Sequence, residues 1–180
     1  VSERAGDNWE ELEKVLCRYE REGDKEKIEA VDFLLKNMLY QSYILSDDLV
    51  EAKREWYSML RKRTSAEYRS ISDSLARLYD VNSGLKRIWD IQVLDSAFIC
   101  DNIDWAFKVW RMQPWGKNVD FNMFCEYILP YSIADEVPEN WRKEYYDKYN
   151  SLLDAFRDSD HYDVEDPIEA LRFLLEKLPL

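Results

Sequence analysis

A chain of 180 residues with 46% apolar and 14% aromatic residues is long enough to bury a real core and too apolar to stay disordered. Its net charge of −12 argues against nucleic acid and anionic membrane surfaces as partners, because phosphate recognition needs clustered Lys and Arg. Four glycines and five prolines leave few turns, which favours long helices over a sheet sandwich.

In chain order, Asp7 or Asn8 is placed to cap a first helix from Trp9 to Arg21, with Glu10 and Glu11 positioned for a capping box or the helix dipole. Trp9, Leu12, Val15, Leu16 and Tyr19 form its apolar stripe, and Gly23-Asp24 breaks it. A second helix from Lys25 to Leu39 buries Ile28, Val31, Leu34, Leu35 and Met38, followed by a loop through Tyr43. Ser46 caps a run from Asp47 to Arg63; this run carries the one dense basic cluster, Lys53, Arg54, Arg61, Lys62 and Arg63, at the end where cations suit the dipole. Thr64-Ser65-Ala66-Glu67 has the form of a second capping box opening a helix to Tyr79, with one continuous long helix as the alternative, and Asn82-Ser83-Gly84 signals a turn.

From Ile88 to Trp110 the chain is apolar on most sides, the pattern of a helix in the middle of a bundle. Pro114-Trp115-Gly116 ends it. Asp120 caps a short helix up to Leu129, with Phe121, Phe124, Tyr127 and Ile128 on its apolar face, and Pro130 stops it. A further helix runs from Glu139 to Arg157. Asp166-Pro167-Ile168-Glu169 then combines an N-cap, a proline at the first helical position and a glutamate at the third, opening a last helix to Leu178. No stretch shows a sustained period of two. The sequence predicts an all-α fold over residues 1–180, a single non-repetitive bundle of about seven or eight helices. Ile28 to Met38 and Ile168 to Leu178 share six of eleven positions, which the common vocabulary of amphipathic helices explains without a repeat. No apolar run is long enough to span a bilayer, and no signal peptide is visible from Val1 onward.

Chemistry-bearing constellations are sparse. Cys17, Cys100 and Cys125 are odd in number, lack a CxxC pair and lie in apolar helical runs, which predicts buried free thiols. A cysteine nucleophile would need His161, the single histidine, which sits in the acidic loop DSDHYDVED. That loop departs from an EF-hand, because Tyr162 and Asp163 stand at the fifth and sixth positions and Pro167 intrudes; a solvated loop whose last acid caps a helix is the expectation, an incidental calcium site the alternative. No metal or cofactor is expected, and no catalytic residue is assigned. Asp101 and Asp104 are the most noticeable carboxylates. Asp104 is spaced to pair with Lys108, and Asp101 and Asn102 to bond neighbouring helix ends. Trp105, Trp110, Trp115, Tyr127, Tyr131 and Trp141 are either inter-helix packing or the lining of a groove for peptide or glycan.

The string N-I-D-x-A-F-x-V-W (Asn102 to Trp110), the Pro114-Trp115 turn, F-C-E-Y-I-L-P-Y (Phe124 to Tyr131) and the Trp141-Arg142 pair resemble the N-terminal helical region of a bacterial envelope family of transglutaminase-like proteins. Phe33 to Tyr43 matches a weaker family pattern, and Ser132 stands where an arginine often follows. The resemblance implies a downstream papain-like domain with the catalytic cysteine, histidine and aspartate, and export to the periplasm or an envelope lipoprotein. It also implies that this chain is a non-catalytic accessory domain that packs on, or presents substrate to, that domain. Glu126, Tyr131, Trp141 and Arg142 are the candidate interface or binding surface, set against a plain structural reading: Glu126 solvated, Tyr131 and Trp141 packed, Arg142 paired with an acid. The alternatives are a stand-alone peptide- or glycan-binding module and a hydrolase using two carboxylates.

Overall fold

The computed structural model describes residues 1–45, 67, 69–71, 73, 74, 86–133 and 136–177. The expected helices from Asp47 to Arg63 and from the Thr64 capping box to Tyr79, the basic cluster and the turn at Asn82-Ser83-Gly84 lie outside them, apart from a few isolated positions. The described chain is mainly helical.

A short helix α1 (Ser2–Ala5) and a 3-10 turn (Gly6–Asn8) lead into α2 (Trp9–Glu22). Gly23 ends α2 in the left-handed conformation, φ 70°, and its N–H closes on the carbonyls of Tyr19 and Glu20. Asp24 caps α3 (Lys25–Met38) by accepting from the Lys27 N–H at 3.2 Å. The expected cap of α2 differs. The Asn8 side chain donates instead to the carbonyls of Ile91 and Leu94, and Glu11 reaches across to the start of another helix.

The departure from an all-helical chain comes next. Ser42–Leu45 (β1) pairs antiparallel with Lys86–Trp89 (β2), Ser42 opposite Trp89 and Leu45 opposite Lys86. Four residues per strand are too few to display a period of two, and the partner is remote in sequence, so neither is legible locally. The apolar run from Ile88 is correspondingly divided. It forms the end of β2, a 3-10 turn (Asp90–Gln92), and then α4 (Ser96–Met112), capped by Asp95 accepting from the Phe98 N–H at 2.7 Å. Helix α4 packs against α2 and α3 and buries Ile99, Cys100, Ile103, Ala106 and Phe107.

After α4 the chain turns through Pro114–Asn118, where the Trp110 indole N–H donates to the carbonyls of Gly116 (3.0 Å) and Val119 (2.9 Å). Asp120 caps α5 (Phe121–Met123), which widens into a π turn over Phe124–Ile128; the Leu129 N–H bonds the Phe124 carbonyl five residues back. Phe124 is fully buried, stacked on Trp110 at 4.3 Å between centroids, whereas Tyr127, expected on the same face, is 81% exposed. The wider turn rotates Tyr127 away from the Phe124 face.

The helix expected from Glu139 to Arg157 is broken into α6 (Trp141–Tyr149), a 3-10 turn (Asn150–Leu153) and α7 (Asp154–Arg157). Arg157 curls back on the break, donating to the Asn150 carbonyl (3.3 Å) and its side-chain oxygen (2.5 Å). Helix α8 (Pro167–Lys177) begins at the expected proline, with Asp166 accepting from the Ile168 N–H and Glu169 bonding the Asp163 N–H. Most buried side chains form one core from α1 to Tyr131; Leu153, Phe156, Ala170 and Phe173 form a smaller one beside Trp115. Cys100 and Cys125 are buried, but Cys17 is exposed, because it lies on the outer face of α2. No helix among the described residues is long and apolar enough to cross a membrane.

Candidate functional site

The C-terminus of the π turn leaves backbone carbonyls without helical partners, and a bound cation suits that end of a helix. Arg142, at the start of α6, supplies it. Its Nη2 donates to the carbonyls of Ile128, Leu129 (3.1 Å) and Pro130 (2.9 Å), and its Nε donates to Asn102 Oδ1 at 2.6 Å. Asn102 Nδ2 donates in turn to the Leu129 carbonyl at 2.9 Å. Burial draws the guanidinium down to about 10, which still leaves it charged at neutral pH. Among the described residues no acid pairs with it; the carbonyls take that place.

The same loop is fixed from its other side. Tyr131 is buried; its hydroxyl donates to Asp90 Oδ2 at 2.8 Å, and its carbonyl accepts from the Trp141 indole N–H at 3.0 Å. Burial pushes the Tyr131 hydroxyl upward, with the Asp90 carboxylate adding to the shift. Burial likewise raises Asp90, only partly offset by the Tyr131 hydrogen bond, and its Oδ1 has no partner among the described residues. Tyr131, Trp141 and Arg142, singled out from the sequence, therefore meet in one bonded network. Glu126 lies outside it, exposed on the π turn. Asp90 and its bond to Tyr131 have no local sequence signal.

Beside this network lies an aromatic groove. Between α4 and α6 a cleft of about 220 Å³ is walled by Trp105, Trp115, Ile128, Trp141, Tyr145 and Tyr149. It meets a second cleft of about 430 Å³ at Ile128 and Trp141, where Tyr127, Ile133, Glu126 and Glu136 line the rim. Of the aromatics named from the sequence, Trp105, Trp115, Tyr127, Tyr131 and Trp141 line one cleft or the other, and Trp110 packs in the core. Tyr145 and Tyr149 were not singled out as groove residues, although Trp141, Tyr145 and Tyr149 recur at intervals of four along α6 and so share a face. Their rings pack in succession, the first pair tilted and the second edge to face, 5.8 Å between successive centroids. Polar groups in the floor are occupied with each other: Gln113 donates to Asn150 at 3.0 Å and accepts from Arg157 at 3.2 Å.

The remaining candidates are structural in their contacts. Asp104 does not pair with Lys108. It accepts from Arg18 (2.5 Å), Lys27 (2.6 Å) and the Tyr19 hydroxyl (3.2 Å), tying α4 to α2 and α3. Lys108 lies instead over the rings of Trp105 (4.0 Å) and Tyr146 (4.4 Å). Burial pushes the Cys125 thiol up to about 11, away from thiolate chemistry. His161 is exposed, and two of the acids in its loop are bonded to backbone: Asp163 accepts from the Glu165 N–H and Asp166 from the Ile168 N–H. Among the described residues no cluster of three or more His, Cys, Asp or Glu is grouped to hold a metal ion. The chain matches no protein-family model, no curated protein and no solved structure.

Proposed function

We propose that this chain is a non-catalytic helical domain that packs against a transglutaminase-like cysteine protease or amidase domain downstream in the same polypeptide. One observation carries the reading. Helix α8 buries Ala170 and Phe173 on one side, yet leaves Ile168, Leu171 and Leu175 more than half exposed. Their spacing of three and four residues sets them on one stripe. A helix apolar on two faces belongs between two layers, and only one layer is supplied by the described residues. The likeness of the Asn102–Trp110 and Phe124–Tyr131 strings to the envelope family supplies the identity of the second layer.

The parent reading frame tests this directly. A downstream segment with Cys, His and Asp in order is the expected result; a stop soon after Leu180 overturns the reading. In the longer protein, Leu171→Glu with Leu175→Glu is expected to detach or destabilise the following domain while leaving this chain folded on its own.

A second reading is favoured by the aromatic groove, whose walls stand on a rigid network: the chain is a binding module for peptide or glycan, free-standing or presenting substrate to its neighbour.

A further inference from the structure

We propose that the groove along α6 binds an extended peptide with apolar side chains flanked by a basic residue, the lysine or arginine lying against Glu126 and Glu136. This rests on reading the groove as a binding site, and it names the class of ligand.

Shape comes first. Helix α6 (Trp141–Tyr149) is about 13 Å long at 1.5 Å per residue, matching roughly four residues of extended chain. The Trp141–Tyr145–Tyr149 stripe faces Trp105 and Trp115 across the cleft, and Ile133 and Tyr127 continue the apolar surface past Trp141.

Chemistry then separates peptide from glycan. A sugar needs many free hydrogen-bonding groups around its hydroxyls. Here Arg142 Nε and Nη2 are taken up by Asn102 and three carbonyls, and Gln113 and Asn150 are bonded to each other and to Arg157. What remains open is mainly ring and aliphatic surface with tyrosine hydroxyls at its edges: Tyr127 at 81%, Ile133 at 77% and Tyr145 at 52% exposed. Such a wall accepts leucine or phenylalanine side chains better than hydroxyls.

Charge gives the flanking residue. Glu126 makes no hydrogen bond or ion pair among the described residues, and Glu136 uses a single oxygen to accept from the Ile133 N–H at 3.2 Å. Both sit on the rim of the Ile133 cleft in a chain of net charge −12, so a cation is attracted both at long range and on contact.

Short fluorescein-labelled peptides, blocked at both ends, test this against the full chain by anisotropy and by the fluorescence of the groove tryptophans. One carries leucine and phenylalanine between lysines; a second replaces the lysines by glutamates; a third replaces the apolar residues by serines. At low salt the lysine peptide is expected to bind about fivefold more tightly than the glutamate one, and the serine peptide to lose at least about tenfold. Glu126→Lys reverses the order of the first two, and Tyr145→Ala weakens the lysine peptide about tenfold while the far-UV circular dichroism stays unchanged. The proposal falls if Glu126→Lys leaves the order intact, if the serine peptide binds equally well, or if a cello-oligosaccharide perturbs the tryptophans and the peptides do not. That last outcome preserves the groove as a glycan site, whereas no saturable response to any probe removes the binding-site reading as well. Neither bears on the apolar stripe of α8.

Discussion

Arg142 Nε donates to Asn102 Oδ1 across 2.6 Å, and both side chains then converge on the Leu129 carbonyl. The pair joins the first turn of α6 to the middle of α4 through the end of the π turn. Removing Arg142 leaves the Ile128 and Pro130 carbonyls without its hydrogen bonds and Asn102 Oδ1 without its donor. Arg142→Ala is expected to cost about 3 kcal/mol in urea unfolding. Arg142→Lys should recover less than half of that, because one ammonium cannot span the same acceptors. Equal stability of the lysine variant and the wild type would show that charge alone holds the loop.

Asp104 is the corresponding link between α4 and the N-terminal helices. It is a third exposed, so its ion pairs with Arg18 and Lys27 are partly screened. Asp104→Ala is expected to lower stability by about 1–2 kcal/mol, and the difference from wild type should shrink in 1 M salt. Lys108→Ala, which removes a ring contact and no acid pair, should not show that salt dependence.

Two carboxylates titrate in opposite directions. Glu11 is held at about 2, below its ordinary 4.5, by its bond to Lys14 and then by the Ser96 hydroxyl and N–H. The unfolded chain therefore binds the proton first, and the Glu11 contribution, complete above pH 4.5, is lost as pH falls toward 2. Glu11→Gln should flatten acid unfolding in that window. Asp90 is raised by burial, so the folded chain binds its proton first and stability declines as pH rises through the carboxylate range. The stability of Asp90→Asn relative to wild type should increase between pH 4 and pH 7, measured as the shift in urea midpoint.

Gly116 has no room for a side chain. A Cβ there would fall 1.7 Å from the Trp110 carbonyl oxygen, a backbone atom that cannot swing aside. Gly116→Ala is expected to destabilise by roughly 3 kcal/mol and to disturb the Trp110 indole bonds to Gly116 and Val119, which near-UV circular dichroism would register.

Local signals were legible wherever the physics is local. Asp24, Asp95, Asp120 and Asp166 each accept from a backbone N–H two or three residues on, yet only the caps at Asp120 and Asp166 were read from the sequence. Asp95 was hidden inside an apolar run, where continuity of hydrophobic residues gives no boundary. The strand pair and the π turn were missed for related reasons. Four-residue strands carry too little periodicity, and a single widened turn changes which residues face inward without changing their spacing.

The sequence by itself determined the helical character of the described chain, the stops at Gly23, Pro114 and Pro130, and the proline-led start of α8. These follow from side-chain spacing, capping and the missing N–H of proline. Only the tertiary structure decided the partners of the charged and aromatic residues. Arg142 caps carbonyls rather than meeting an acid, Asp104 binds Arg18 and Lys27 rather than Lys108, and Tyr131 closes on Asp90. Long polar side chains choose among all neighbours that folding brings within reach, and the distances that settle the choice do not exist until the helices pack.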